Sequence, residues 1–401
     1  MKTNVGVFFG CRSVEHEVSI ISAVQAMRSM KKEKYNIVPV YVSKSGVMYT
    51  GEKLFTIENY KDIPKLLSLC EEITLVRVGD GVNVRFLKQG VFKKKDDIKL
   101  DLAFPIVHGT NCEDGTMAGY FEFLGLPYIS CDIVSAAVGM DKSVFKDVLI
   151  NAGLPTLPCY TFRARQYLTD KEKTAKTIAE KIGFPLIIKP VNLGSSVGIT
   201  KVKTENELVE AIDLAVSFAD RILAEKAIEN LREINCSVLG DADDCMASVP
   251  EEPFMNDEIL SYKDKYLGGS KGSKQEGPSK GMASLGRKIP ADISEEKAEE
   301  IKDISCKIFK TMGASGVVRI DYLMDTSDND KVYANEINTI PGSLAFYLWE
   351  ASGIKYSDML DKLVEIAFKR QRTRDNLNFS IDTDILSGVS FGSKGAKGSK
   401  F

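Results

Sequence analysis

Glu336 and Asn338 lie in VYANEINTIPGS, residues 332–343, an apolar run that stops at Ile-Pro-Gly. Side chains at i and i+2 on a strand share a face, so this pair projects a carboxylate and an amide oxygen together. A short way upstream, GVVRIDYLMD (316–325) places Arg319 and Asp321 on one face by the same period. DTSDND (325–330), between the two runs, is dense in turn formers, and the pair reads as a β-hairpin with Asp321 across from Glu336 and Asn338. Two carboxylates and an amide beside an arginine suit Mg²⁺ carrying a nucleotide phosphate, because Mg²⁺ takes oxygen ligands and few of them from protein. Taken alone, these residues also fit a surface hairpin with a polar outer face.

A second candidate is IIKPVNLGSSVGIT (187–200), in which a strand delivers Lys189 and Pro190 ends it. The turn from Gly194 through Ser195, Ser196 and Val197 to Gly198 offers backbone N–H groups and two hydroxyls that can wrap phosphate oxygens, with the lysine supplying charge. It lacks the GKS/T pattern and following helix of a Walker loop. A glycine-rich turn between strands is also common in ordinary hairpins.

The elements that must carry these residues fall into stretches of different texture. NVGVFF (4–9) reads as a buried strand, followed by a helix with Ile20, Val24 and Met27 on one stripe and then by the strand YNIVPVYVS. LDLAFPIVHG is another strand, and the helix after it carries Met117, Tyr120, Phe121 and Leu124 before Gly125. This is a parallel α/β pattern, in which ligands sit at the carboxyl ends of strands; GCRSVEHEVS (10–19) and HGTNCEDG (108–115) are two such ends. From about residue 131 an α+β unit follows, with helices opened by Thr169-x-x-Glu172 and Thr204-x-x-Glu207 as capping boxes. The remainder holds REINCSVLG, a glycine-rich segment at 268–288, an amphipathic helix from about 294 to Gly313, and the hairpin. A loop as long as 268–288 is usually a lid or disordered.

At 401 residues the chain has room for two or three domains, and 44% hydrophobic with 27% charged residues is ordinary globular composition. With 53 Lys and Arg against 56 Asp and Glu, no global field draws it to nucleic acid or a membrane. It has no apolar run of about 18 residues, so it reads as soluble and cytoplasmic. The eight cysteines stand singly and only two histidines, His16 and His108, are present, which supports neither a zinc site nor a disulfide framework.

Taken together, FFGCRSVEHEVS, FPIVHGTNCEDGTMAGYFEFLGLPYIS, MDK at 140–142, KPVNLGSSVGI, ILAEK with REINCSVLG, SYKDKYL at 261–267, and VVRIDYLM with NEINTIPG resemble the ATP-grasp ligases. Within them the chain resembles the D-alanine-D-alanine ligase family, including its D-Ala-D-lactate and D-Ala-D-serine relatives. The resemblance spans about residues 3–370. It implies an α/β and α+β, three-domain ATP-grasp fold with an N-terminal Rossmann-like parallel α/β domain. The expected divisions are 1–130, 131–224, and 225–370 with a lid at 262–288, followed by a disordered tail from 371. The implied reaction makes an acyl phosphate of a first D-alanine with ATP, and the amine of a second substrate then displaces phosphate. In this family such a product serves peptidoglycan synthesis.

The resemblance also assigns residues. Lys142, Lys189 and Lys265 match the family's phosphate-binding lysines, with Ser195 and Ser196 in the glycine-rich turn; Lys189, Glu225, Lys226 and Glu233 match the adenine and ribose positions. Asp321, Glu336 and Asn338 match ligands of two Mg²⁺, with Mn²⁺ as a substitute, and Arg319 with the Gly342 N–H matches the oxyanion-stabilising pair. Glu15 matches the anion for the first substrate's ammonium, Ser195 and Tyr266 complete a hydrogen-bonded chain with it, and His108 falls near the same substrate or is simply packed. A homodimer through the first domain is implied, with small-molecule substrates and no nucleic-acid or membrane partner.

Three departures bear on the second substrate. Gly10-Cys11 replaces a Gly-Gly pair, Tyr347-Leu348 stands where a Ser-Leu pair receives the second carboxylate, and the lid is longer, with Lys271, Lys274, Lys280, Arg287 and Lys288. Because Lys265 and Tyr266 are present, the expected second substrate is an amino acid, D-Ala ahead of D-Ser. The rival readings are an ATP-grasp ligase for another carboxylate and amine, and a catalytically dead ATP-binding regulator.

Overall fold

The computed structural model describes residues 2–88, 95–192, 198–253 and 286–378. The chain builds three main sheets in sequence order. The first has seven strands: β1 (Thr3–Gly10), β2 (Tyr35–Val42), β3 (Met48–Thr50), β4 (Glu71–Val78), β5 (Gly81–Phe86), β6 (Ile98–Leu100) and β7 (Leu102–Ile106), in the order β6-β5-β4-β3-β2-β1-β7. β1, next to the edge strand β7, pairs in parallel with β2 and β7. Both its faces are buried, Val5, Val7 and Phe9 in one core and Phe8 in another, which explains its unbroken apolar run. Helix α1 (His16–Ser29) makes the crossover from β1 to β2.

The parallel pattern expected of the whole opening third holds for β2-β1-β7, whereas β3 to β6 are antiparallel. For β4 and β5 the reason is connection length: only Gly79 and Asp80 separate them, and a parallel return needs a dozen or more residues. Helix α2 (Ile63–Ser68) lies within this excursion; α3 (Thr116–Leu124) follows β7 and is closed by Gly125 in the left-handed region.

The second sheet is antiparallel, ordered β10-β9-β11-β8 from β8 (Cys159–Arg163), β9 (Leu186–Pro190), β10 (Thr200–Val202) and β11 (Arg221–Lys226). It is covered by α7 (Lys171–Ile182) and α8 (Glu205–Val216), after the short α6 (Ala164–Thr169). The cap of α7 differs from the expected Thr169 box: Asp170 is the N-cap and accepts the Lys173 N–H at 3.0 Å. Thr169 instead donates back to the Arg165 carbonyl inside α6. At α8, Thr204 is the N-cap without a side-chain bond, and Glu207 accepts the Lys203 N–H.

The third sheet, ordered β13-β12-β16-β17, comprises β12 (Leu231–Gly240), β13 (Cys245–Ala247), β16 (Gly316–Asp325) and β17 (Lys331–Asn338). Beside it, β14 (Glu252–Pro253) pairs with β15 (Arg287–Lys288). Residues 133–151, expected to open the central unit, form α4 (Ile133–Met140) and α5 (Lys142–Asn151) and join the core of this third sheet. Phe145 and Leu149 pack there with Phe309 of α9 (Glu295–Thr311) and Tyr322 of β16.

After the hairpin come α10 (Phe346–Ala351) and α11 (Tyr356–Asp375). These lie in a core shared with the first sheet, where Trp349, Leu360 and Leu363 meet Val7, Ile20 and Met27. The expected tail therefore starts later than 371. α11 runs on to Asp375 because Arg370 donates to the carbonyls of Tyr128 and Ser130 and Arg374 pairs with Glu122. Residues 379–401 and 254–285 lie outside the described residues, and with them positions 262–285 of the expected lid. Among the described residues no helix is long and apolar enough to cross a membrane.

Candidate active site

The hairpin of β16 and β17 forms as its sequence indicates, and its register lays two polar rows across the third sheet. Asp321 pairs with Glu336 on one side and Asn235 on the other; Arg319 pairs with Asn338 and Ser237. A bulge follows at once, since Tyr322 pairs with Ala334 and leaves Asn335 as the extra residue. Arg319 grips Asp321 through Nε and Nη2, at 2.6 and 2.7 Å, and Asn338 Nδ2 donates to Asp321 Oδ2 at 3.1 Å. Burial opposes the charge on Arg319, but Asp321 outweighs it and pushes its pKa up. Lys142, the first residue of α5, pairs with Glu336 at 3.0 Å. Two carboxylates and an amide brought together on one hairpin offer oxygens of the kind that Mg²⁺ takes.

Facing this floor are the two inner strands of the second sheet, β9 and β11. Lys189 Nζ donates to Glu225 Oε2 at 2.7 Å and to Asn335 Oδ1 at 3.0 Å. Lys146, on α5 and fully buried, pairs with the other oxygen of Glu225. Burial works against the Glu225 carboxylate, yet the two lysines outweigh it and hold its pKa below the usual range. Two cations around one carboxylate leave an excess of positive charge suited to an anion. Lys226 reaches the Phe184 carbonyl at 2.8 Å, and Glu233 lies on β12 opposite Leu323. Lys146 escaped the sequence reading because a lysine on an amphipathic helix ordinarily faces water.

The break after Asn338 is a strained turn. Ser343, Leu344 and Ala345 have φ of +52°, +54° and +50°, a left-handed run of non-glycine residues that only surrounding structure can hold. Gly342 heads it. The first domain supplies that surrounding structure. His108 Nδ1 donates to the Ile340 carbonyl at 2.7 Å, so Nε2 accepts the Ser22 hydroxyl at 2.7 Å, and Ser22 Oγ in turn accepts the Ser343 N–H. Burial pushes the His108 pKa down, with Glu15 opposing. Glu113 accepts the N–H groups of Gly109 and Ile340, at 2.7 and 2.9 Å; burial and then Glu15 raise its pKa to about 8. Glu113 was not singled out in the sequence, although its segment was.

Glu15 sits at the N-cap of α1, buried, with its carboxylate beside Gly109 at the end of β7. Thr339 Oγ1 and Ser343 Oγ are buried without a hydrogen-bond partner, as polar groups facing a ligand would be. The structure thus gathers Glu15, His108, Arg319, Asp321, Glu336, Asn338 and Gly342 around one turn, with Lys142, Lys189 and Glu225 opposite. Tyr347 and Leu348, on α10, are buried, and the Tyr347 phenol donates to Glu251 Oε1 at 3.2 Å. Ser195, Ser196, Lys265 and Tyr266 lie outside the described residues.

The family models for the D-ala D-ala ligase N-terminus and the D-ala D-ala ligase C-terminus match residues 4–131 and 148–365. The chain belongs to the D-alanine-D-alanine ligase family. A D-alanine-D-alanine ligase of Thermosipho melanesiensis is 38% identical, over 96% of this chain and 98% of that protein. Among solved structures, the ligase of that name from Coxiella burnetii superposes with a TM-score of 0.75 at 29% identity, covering 93% of this chain and 96% of its own. A D-Ala:D-Ser ligase from Enterococcus faecalis gives 0.73 at 29% identity, covering 92% of this chain and all of its own. Members of this family depend on ATP, and their ATP-grasp fold is the arrangement described above.

Proposed function

We propose that this chain ligates two D-alanines to D-alanyl-D-alanine with ATP, through an acyl phosphate, for peptidoglycan precursor synthesis. One observation carries the reading: Asp321 and Glu336 stand directly opposite across the hairpin, with Arg319 and Asn338 as the adjoining pair. That arrangement joins a metal-binding edge to an oxyanion-stabilising cation on one surface. Asp321, Glu336 and Asn338 would hold two Mg²⁺, which neutralise phosphate charge when bound.

Each step then falls to named groups. Lys142 and Lys189 receive phosphate oxygens, with Lys265, Ser195 and Ser196 assigned to the same task by resemblance. Glu225, Lys226 and Glu233 flank the adenine and ribose. Glu15 holds the ammonium of the first D-alanine. His108, whose pKa burial lowers, fixes the Ile-Pro-Gly turn through its bond to the Ile340 carbonyl. Arg319 and the Gly342 N–H stabilise the oxyanion formed when the second amine attacks. Glu15, with Ser195 and Tyr266, is assigned by the same resemblance to a hydrogen-bonded chain that would report closure over the site. The same reading makes the working molecule a cytoplasmic homodimer joined through its first domain.

The test is ATP turnover with D-Ala alone, then with D-Ser or D-lactate added, the products being identified by mass. D-Ala alone is expected to give the dipeptide and stoichiometric ADP; absence of dipeptide with every acceptor would overturn the proposal.

A further inference from the structure

Beside Arg319 lies a buried cluster that the roles above leave unused. Glu251 Oε2 accepts from Arg287 Nη1 at 2.7 Å, and its Oε1 accepts from the Tyr347 phenol at 3.2 Å and the Asn235 amide at 3.1 Å. The Arg287 guanidinium lies over the Tyr347 ring, 4.2 Å from its centre. Asn235 pairs with Asp321 on one side and with Glu251 on the other, so the cluster extends the row of Asp321 and Glu336 across the sheet. Glu251 is 1% exposed and the Arg287 side chain 9%, so this is a built constellation.

Its chemistry bears on the second substrate. The family's Ser-Leu pair is Tyr347-Leu348 here, and the phenol's proton is committed to Glu251. A carboxylate arriving at this wall therefore meets an occupied donor. The guanidinium beside it carries five N–H groups in a planar fork that matches a carboxylate. Glu251 and the aromatic ring fix that fork in place, which lowers the cost of ordering it on binding.

We propose that Arg287, anchored by Glu251 over Tyr347, receives the carboxylate of the second amino acid, while the Tyr347 ring limits its side chain to about the size of a methyl or hydroxymethyl group. This rests on the ligase reading above and specifies its second-substrate subsite. Glu251 is a positioning residue, acting through Arg287 and Tyr347.

The experiment uses the full chain and two readouts. Positional exchange of ¹⁸O in ATP with D-Ala reports formation of the acyl phosphate, and dipeptide yield against D-Ala concentration reports the second substrate. Loss of a charge-assisted carboxylate contact predicts that Arg287→Met raises KM for the second D-Ala by about tenfold or more, while exchange and KM for ATP stay within about twofold. Arg287→Lys, which keeps the pair with Glu251, should raise the same KM by less, and added guanidinium salt should partly rescue Arg287→Met. Tyr347→Ala should admit larger D-amino acids as second substrates. Unchanged second-substrate KM in Arg287→Met and Arg287→Lys would overturn the inference alone, as would an equal loss of exchange and transfer. Wild-type protein giving neither exchange nor dipeptide would take the ligase reading and this inference down together.

Discussion

Arg319 holds both carboxylate oxygens of Asp321, its neighbour two residues along β16, at 2.6 and 2.7 Å. One member of this pair is the proposed oxyanion stabiliser and the other the proposed metal ligand, so phosphate chemistry would divide them between two tasks. Arg319→Ala is expected to lower dipeptide formation about 10²- to 10³-fold, the usual effect of losing one such donor. Nucleotide affinity, measured by calorimetry with a non-hydrolysable ATP analogue, should hold. A comparable loss of ATP affinity would count against the assigned role.

Glu336 stands across from Asp321 and is paired with Lys142. Glu336→Gln keeps the shape and removes the charge, so the Mg²⁺ concentration giving half-maximal ADP release should rise about tenfold or more. A chelator should abolish turnover in the wild type. An unchanged Mg²⁺ dependence would remove Glu336 from the metal site.

Lys146 is fully buried against Glu225, which also holds Lys189. Removing one partner of a buried pair leaves the remaining charges poorly compensated, so Lys146→Met should cost about 3 to 5 kcal/mol in denaturant unfolding. KM for ATP should rise as well, because Glu225 would then draw on Lys189 alone.

His108 gives a pH signature. Burial lowers its folded pKa below the ordinary 6.5, so the unfolded chain takes up the proton first. Its contribution is complete above pH 6.5 and is lost as pH falls below that value. Glu113 works in the opposite sense: its folded pKa is raised from 4.5 to about 8, and its contribution is lost as pH rises across that interval. Urea midpoints between pH 5 and 6.5 should therefore fall less steeply in His108→Phe than in the wild type, and more steeply in Glu113→Gln. Parallel slopes in all three would refute the assignment.

At the start of α7, Asp170→Ala should cost about 1 kcal/mol through loss of the cap, and Thr169→Ala less. Thermal unfolding of the two variants separates them. The capping-box pattern was present in the sequence, but an aspartate one residue on accepts an N–H equally well, and the α6–α7 junction decides between them.

The hairpin was legible because a period of two and a dense turn sequence are both local signals. Its bulge left one trace, two polar residues in succession at Asn335-Glu336. Family motifs supplied Glu15, His108 and the lysines. Lys146, Glu113, Glu251 and the paired state of Arg287 were not legible, since each is a charged residue in an unremarkable segment. They are buried by partners far along the chain, which no local pattern encodes. The antiparallel strands β3 to β6 escaped for a different reason: β3 and β6 are only three residues each, and long connections separate β3 from β4 and β5 from β6.

Ile340 has its N–H on Glu113 and its carbonyl on His108, and both of these side chains come from the amino-terminal layer. With Trp349, Leu360 and Leu363 embedded in that same layer, the turn that closes the hairpin is clamped to the amino-terminal core and shares its fate on unfolding.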